Sequence, residues 1–148
     1  MTSDLLDKES LIGQSKIFGL LDLAGRQKLV GIGRPSSLRS GEMVIREGEL
    51  DATFYLLVKG KVEVSIDKFG AECTVNVLEE GAVFGEIAAL VGEDRSATVK
   101  ALTDIQLLEF DGEKIQELLS NYPQVREAIL KLGLKRSEDT MHEMLSDD

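Results

Sequence analysis

The sequence predicts a mainly β protein with flanking helices, built either as a β-sandwich or as a jelly-roll barrel. Three observations support this fold class. Between residues 34 and 110, short segments alternate apolar and polar residues. Glycines fall between or beside these segments, as tight turns require. Before residue 33 and after residue 111 the apolar residues recur at helical spacing, and the 148 residues suit one domain covering the whole chain, 1–148.

The N-terminal part, residues 1–33, is expected to contain short helices. The stretches "DLLDKESLIG" and "DLAGRQKLVGIG" both place leucine, isoleucine and valine about one helical turn apart. The stretch "KIFGL" joins them. We therefore expect two helices to precede the strands.

The middle part, residues 34–110, is expected to form the β core. The clearest hairpin is "YLLVKGKVEVSI", in which Lys59 and Gly60 form the turn and Val62 and Val64 share one face. The predicted strands are 36–39, 43–46, 53–58, 61–66, 73–78, 96–102 and 105–110.

After Phe110 the helical period returns. Asp111 is a suitable N-cap for one helix, which the sequence Asn121-Tyr122-Pro123 interrupts. A longer helix then begins near Pro123. Its apolar stripe, which contains Leu132, Met141 and Leu145, is expected to face either the β core or the same helix of a second chain.

Composition excludes several functions. A net charge of −10 argues against binding of DNA or RNA over a wide surface. No apolar run approaches the roughly 20 residues that span a bilayer, and the acidic N-terminus lacks a signal-peptide core, so we expect a cytoplasmic protein without membrane contact. One cysteine, Cys73, and one histidine, His142, are too few for a cupin-type metal enzyme, a cluster or a haem, and no metal site is expected.

The most informative stretch is "FGEIAALVGEDRSAT", residues 84–98. Its apolar run predicts a short helix whose first amides lack partners and attract an anion. Arg95, expected at the start of the next strand, offers a planar fork of donors to a phosphate, and Ser96 adds a hydroxyl. Glu86 accepts hydrogen bonds and suits a sugar hydroxyl. The alternative is that Glu86 and Arg95 simply pair with each other across a loop.

The segments "FGEIAAL" and "RSAT" closely resemble the phosphate-binding cassette of the cyclic nucleotide-binding domain family. The resemblance extends from about residue 16 to residue 134, through "IFGLL", "GEMVIREGELDATFYLLVKGKVEVS" and "VKALTDIQLLEFDGEKIQELLSNYP". It implies an eight-stranded jelly-roll β-barrel in residues 34–110. N-terminal helices and two C-terminal helices would flank the barrel, with residues 111–148 forming a hinge and a lid or dimer helix.

The resemblance also implies a set of ligand-binding residues. Glu86 and the Gly85 amide would hold the ribose 2′-hydroxyl, while Arg95, amides near Ile87 and the Ser96 hydroxyl would bind the cyclic phosphate. The full set is Phe84, Gly85, Glu86, Ile87, Ala88, Arg95, Ser96, Ala97, Val64, Val75, Arg136 and Thr140.

The base is expected to lie against Val64 and Val75, where family members line the base pocket. Ser96 resembles bacterial cAMP binders, so cAMP is preferred over cGMP as the ligand. Thr140 occupies the register of a threonine that contacts adenine in bacterial cyclic-AMP receptor transcription factors, or else is an exposed helix residue. Arg136, one turn earlier, is an alternative stacking partner for the base.

The implied function is a regulatory module, not an enzyme, that binds a cyclic nucleotide and repositions its C-terminal helices toward an unknown effector protein or domain. A homodimer through the last helix is also possible. One departure favours a different function. The family's usual proline before the cassette arginine is Asp94 here, which puts a negative charge near the phosphate site. The alternative is therefore a nucleotide-free dimerisation or protein-interaction module with a vestigial cassette.

Overall fold

Eight antiparallel strands form two four-stranded sheets in the computed structural model, which describes residue 12 and residues 15–145. The first sheet has the strand order β1-β8-β3-β6 and the second has the order β2-β7-β4-β5. The strands are β1 (Arg34–Leu38), β2 (Met43–Ile45), β3 (Phe54–Lys59), β4 (Val62–Lys68), β5 (Ala71–Leu78), β6 (Val83–Phe84), β7 (Thr98–Ala101) and β8 (Ile105–Phe110).

The eight strands confirm the mainly β class, but the expected closed barrel is wrong, because the strand pairing leaves two separate sheets. The sequence prediction also missed β6, since two residues are too few to show an alternating pattern. Strand β1 begins at Arg34, earlier than expected, and includes Pro35. Proline is tolerated there because β1 lies at a sheet edge and pairs only with β8.

Helices precede, interrupt and follow the strands. A short 3₁₀ helix spans Phe18–Leu20, and the α-helices are α1 (Leu23–Ile32), α2 (Glu86–Val91), α3 (Gly112–Leu119) and α4 (Pro123–Leu145). The two C-terminal helices and the break between them are as predicted. Of the first predicted helix, Ile12 is helical and buried, and the rest lies outside the described residues.

Side-chain caps define where two of these helices begin. The Asp22 carboxylate accepts a hydrogen bond from the Gly25 amide at the start of α1. Asp111 accepts from the amides of Glu113 and Lys114 at the start of α3, as its sequence position predicted. Each cap satisfies amides that have no partner within the helix.

Strand β3 separates two apolar cores. Phe54 and Leu56 face the helices, whereas Tyr55 and Leu57 face the second sheet. Burial on both faces explains why "FYLL" reads as a continuous apolar run. The molecule is therefore layered as helices, first sheet and second sheet.

Helix α4 packs against the helical core through part of its apolar surface. Ile129 is fully buried there and Leu132 is partly buried against the same core. Leu132 of the predicted stripe therefore packs within its own chain. The exposed apolar residues of this helix are Leu134, Met141 and Leu145 among the side chains that the structure describes.

Candidate functional site

The expected short helix is α2, which connects β6 to the segment that leads into β7. Gly85 is its N-cap, and the amide of Ala89 donates the first hydrogen bond back to the Gly85 carbonyl, at 3.2 Å. The amides that precede Ala89 in α2 have no carbonyl partner one turn earlier within the helix. They therefore remain available to an acceptor from outside the helix.

Gly85 is required by its conformation and by its surroundings. Its φ of 82° lies in the left-handed region, which side chains with a Cβ rarely adopt. A Cβ at this position would lie 2.8 Å from Nη1 of Arg95 and 2.8 Å from the carbonyl oxygen of Thr53. Glycine thus lets the backbone approach the Arg95 guanidinium closely.

Arg95 is a buried cation, with only 5% of its surface exposed. Its Nη2 donates to the Thr53 carbonyl at 2.7 Å, and Nη1 donates to the Gly85 carbonyl at 3.3 Å. Its nearest carboxylate is that of Asp51, at 3.7 Å. Burial lowers the pKa of Arg95, and the charge of Asp51 opposes that effect.

The Nε of Arg95 has no hydrogen-bond partner, and no other buried side-chain nitrogen or oxygen in the described part of the chain shares this property. Leaving a buried charged donor unpaired costs about 1–3 kcal/mol or more. Such groups are rare in folded proteins and mark positions where an additional acceptor is favourable. The acceptor that best matches a guanidinium is a planar or tetrahedral oxyanion.

Two details of the sequence prediction are wrong here. Arg95 is not at the start of a strand, since β7 begins at Thr98, and its main chain is instead held by hydrogen bonds with Glu49 and Gly48. Nor do Glu86 and Arg95 form an ion pair. The long-range contacts of the loop decide both, and local alternation could not show them.

Glu86 pairs with a residue of the last helix. Its Oε2 lies 3.0 Å from Nη1 of Arg136, and the same Nη1 donates to the Val83 carbonyl at 2.6 Å. The Glu86 side chain is 7% exposed and that of Arg136 is 22% exposed. The arginine compensates a carboxylate that burial would otherwise destabilise. Its position also ties α4 to the cassette.

All twelve residues predicted to bind a ligand line one cavity, with an empty volume of about 740 Å³ out to its open mouth. The lining residues come from the second sheet, β6 of the first sheet, α2 with its N-cap, the loop that precedes β7, and α4. The cavity is also lined by residues that the sequence did not single out as ligand-binding, namely Ile45, Asn76, Leu78, Asp94, Val99, Gly133, Ser137 and Asp139.

A β-bulge explains why Val75 and Asn76 both reach the cavity although they are neighbours on one strand. Val64 pairs with Asn76 whereas Ser65 pairs with Thr74, so Val75 is the extra residue. An extra residue interrupts the alternation of side chains between the two faces of a strand. Glycine, proline or a break in alternation would have signalled the bulge, and "ECTVNVL" shows none.

The cavity has two chemically different regions. The second sheet contributes an apolar wall, which suits a flat ring system. The cassette contributes Arg95, Glu86 and the free amides, which suit an anion joined to a hydroxyl-bearing group. The sheet side is formed by Ile45, Val64, Val75, Leu78 and Val99.

The described residues contain neither a group of three or more His, Cys, Asp or Glu side chains arranged to hold a metal ion nor a helix long and apolar enough to cross a membrane. The two-sheet fold and the half-apolar, half-charged cavity define a binding domain for a small anionic ligand. Residues 35–122 match the family described as the cyclic nucleotide-binding domain, and the chain belongs to this family.

Relatives of known identity agree with this assignment. The chain is 32% identical over 133 residues to a cyclic nucleotide-gated potassium channel of Rhizobium etli, covering 90% of this chain and 36% of the channel. It is 35% identical over 113 residues to the cAMP-dependent protein kinase regulatory subunit of Schizosaccharomyces pombe, covering 76% of this chain and 27% of that subunit. The chain thus spans about a third of the relatives' length.

A solved structure described as Sp-2Cl-cAMPS bound to PKAR CBD2 has a similar fold. Its TM-score to this chain is 0.81, with 26% sequence identity. The match covers 99% of this chain and 95% of that one. The similarity therefore includes the helices as well as the strands.

Proposed function

We propose that this chain is a regulatory module that binds a cyclic nucleotide, with cAMP preferred over cGMP. The observation that carries the proposal is the buried Arg95 guanidinium, whose Nε has no acceptor, beside the first amides of α2, which have no partner within the helix. In this proposal Arg95 binds the cyclic phosphate together with the amides of Ile87 and Ala88 and the Ser96 hydroxyl. The two charge-assisted bonds of a guanidinium fork supply most of the affinity.

The sugar and the base occupy the rest of the cavity. Glu86 has one carboxylate oxygen engaged by Arg136, so its other oxygen accepts the ribose 2′-hydroxyl. The base lies against Val64 and Val75 of the second sheet, and Thr140 on α4 contacts its outer edge. Both purines fit an apolar wall of this kind, so the proposed preference for cAMP rests on Ser96 and Thr140, which resemble bacterial cAMP binders.

Calorimetric titration of the nucleotide-stripped protein with cAMP and with cGMP tests the proposal. We expect micromolar or tighter binding of cAMP and weaker binding of cGMP. Arg95→Ala should lower the affinity by about 10- to 150-fold, which corresponds to 1.5–3 kcal/mol for a charge-assisted hydrogen bond. Arg126→Ala, at an exposed position of α4, is the matched control and should bind as the unaltered protein does.

Because Arg95 is buried, a second variant is measured to distinguish the loss of ligand contacts from a disturbed fold. Arg95→Lys keeps the charge but loses the planar fork. It should fold, as judged by circular dichroism, and still bind at least tenfold more weakly. Tight binding of cAMP by folded Arg95→Lys and Arg95→Ala proteins would contradict the proposal that Arg95 binds the phosphate.

A second candidate function is a nucleotide-free interaction module with a vestigial cassette. It is favoured by Asp94, which lines the cavity next to Arg95. Its carboxylate repels a phosphate wherever solvent does not screen it. Under our proposal Asp94→Asn strengthens binding only slightly. Binding that appears only in Asp94→Asn, and not in the unaltered protein, would instead favour the nucleotide-free interaction module.

We further propose that the described fold is the core of one domain, 1–148, in which N-terminal helices precede the sheets and residues 111–148 form the hinge and lid. The module has no catalytic step in this proposal and acts in the cytoplasm by moving α4 toward an effector. A homodimer would use the exposed Leu134, Met141 and Leu145. The effector differs between the relatives, since one is a channel and another a kinase regulatory subunit.

A further inference from the structure

Gly133 is an unexpected residue in the middle of α4, the 23-residue helix Pro123–Leu145. Glycine is among the least favourable residues in a helix interior, because it loses the most backbone freedom on folding. Gly133 is buried and lies against the cassette helix. A Cβ at this position would approach Cδ1 of Ile87 to 2.5 Å, Cγ1 of Ile87 to 3.1 Å and Cγ of Glu86 to 3.2 Å.

The rotation of a single methyl group would not remove this conflict. Cδ1 is the flexible end of Ile87, but Cγ1 and the Cγ of Glu86 are stem atoms. Glu86 is also held by Arg136, one helical turn from Gly133. The added carbon would therefore require Ile87 to leave its present position and the two helices to shift by a few tenths of an ångström at this contact.

Another helical glycine shows the contrast. Gly31 lies in α1, and a Cβ added there would meet no atom within 4 Å. No packing contact requires glycine at position 31. At position 133, by contrast, the absence of a Cβ leaves space that the Ile87 side chain fills. Gly31 thus provides a matched control for the effect of helix propensity alone.

We propose that Gly133 is a notch that receives Ile87 and thereby fixes α4 to the cassette, so that nucleotide occupancy and lid position are coupled. Ile87 lies in the cassette and lines the cavity beside Gly133. A displacement of Ile87 when the cassette binds phosphate is transmitted directly to α4, because the notch leaves no free space between them. The part of this inference that concerns nucleotide rests on the proposed function.

Hydrogen exchange on nucleotide-free protein tests the notch without any ligand. Helix propensity alone predicts that Gly133→Ala slows the exchange of α4 amides. The notch predicts the opposite sign, with exchange between residues 133 and 145 at least severalfold faster, because the helix is displaced from the cassette. Gly31→Ala should leave the exchange of α4 unchanged. Slower or unchanged exchange in Gly133→Ala would overturn the proposal.

A second variant provides the space that the alanine needs. Ile87→Ala removes both atoms of the conflict at Ile87, so the double variant Gly133→Ala/Ile87→Ala should exchange in α4 more slowly than Gly133→Ala alone. The absence of such rescue would also contradict a steric notch. Circular dichroism of each variant verifies that the helices form.

The coupling to the ligand is measured with cAMP by stopped-flow dissociation. Gly133→Ala should release cAMP about tenfold faster than the unaltered protein, while Gly31→Ala releases it at the unaltered rate. Unchanged release in a Gly133→Ala protein with altered exchange would overturn the coupling. If the unaltered protein binds neither cAMP nor cGMP, the proposed function fails, and the exchange comparison still decides whether Gly133 is a notch.

Discussion

At the scale of single residues, the site depends on which partner each buried charge has. The Arg95 guanidinium donates to two carbonyl oxygens and lies 3.7 Å from the Asp51 carboxylate, and its Nε has no acceptor. Glu86 instead has a direct cation in Arg136, 50 residues further along the chain. Glu86 and Arg95, the two charged residues of the cassette, thus have different partners and do not pair with each other. In the proposed function Arg95 offers positive charge to the ligand, whereas Glu86 connects the cassette to α4.

The Glu86–Arg136 pair is testable by a double-mutant cycle. Arg136→Ala leaves a buried carboxylate without its cation, so it should destabilise the protein by about 1–3 kcal/mol. In a Glu86→Gln background the same replacement should cost less, since no buried charge remains. Urea unfolding of the four proteins measures the coupling energy, for which we expect about 0.5–3 kcal/mol. Additive effects of the two replacements would contradict a direct interaction.

At the scale of elements, the helices are connected to one another across long sequence distances. Tyr122 lies between α3 and α4, and its hydroxyl donates to the Asp22 carboxylate at 2.7 Å, although the two residues are 100 positions apart. Its ring lies over Gly25, where a Cβ would come within 2.8 Å of the ring. The start of α1 is thereby attached to the turn between α3 and α4.

The pH dependence of this contact follows from two pKa shifts. The hydrogen bond from Tyr122 lowers the pKa of Asp22 from its ordinary value of 3.8, and the same bond raises the pKa of Tyr122 above its ordinary 10.0. The contribution of Asp22 is therefore present above its unfolded pKa and lost as the pH falls through its folded pKa. The contribution of Tyr122 is present below its unfolded pKa and lost as the pH rises through its folded pKa.

Tyr122→Phe removes the hydroxyl and keeps the ring. We expect this variant to be slightly less stable than the unaltered protein, by a constant amount between about pH 5 and pH 9. The difference should shrink on further acidification, as Asp22 gains its proton, and above about pH 10, as Tyr122 loses its own. Urea unfolding across the pH range measures it. A difference that does not begin to shrink below about pH 4 would mean that the hydroxyl acts through another group.

At the scale of the whole molecule, a strongly acidic protein is proposed to bind an anion. The net charge is −10, and the cavity itself is lined by Asp94 and Asp139. The electrostatic field of the whole protein therefore opposes the approach of a nucleotide, while the buried Arg95 attracts the nucleotide only at short range. The two effects differ in how far salt screens them, because exposed charges are screened beyond about 10 Å at 0.1 M salt and buried ones much less.

This difference predicts an unusual salt dependence. The association rate constant for a fluorescent cAMP derivative should rise roughly threefold between about 10 mM and 150 mM NaCl, since salt screens the long-range repulsion. The dissociation rate constant should change less, because it reflects the buried contacts of Arg95. Stopped-flow fluorescence measures both. A fall in the association rate with added salt would show that the local positive charge of the site controls the approach.

The parts of the fold that follow from local rules were predictable. The turn at Gly60, the cap at Asp111 and the break before Pro123 depend on residues a few positions apart, and all three appear in the structure. The cassette was equally predictable, because its residues lie close together in the sequence at fixed intervals. The failed predictions concerned features too short to carry a pattern, as in the two residues of β6, or features that depend on distant partners, as in the loop that holds Arg95 before β7.

The sequence alone determined the mainly β class, the short helix after Gly85, and the family to which the cassette belongs, since each is expressed in neighbouring residues. Only the tertiary structure decided that Glu86 pairs with Arg136 and not with Arg95, that Gly133 receives Ile87, and that the strands remain two sheets. These contacts join residues separated by tens of positions. Their geometry depends on how the helices pack on the sheets, and no local pattern of residues encodes that packing.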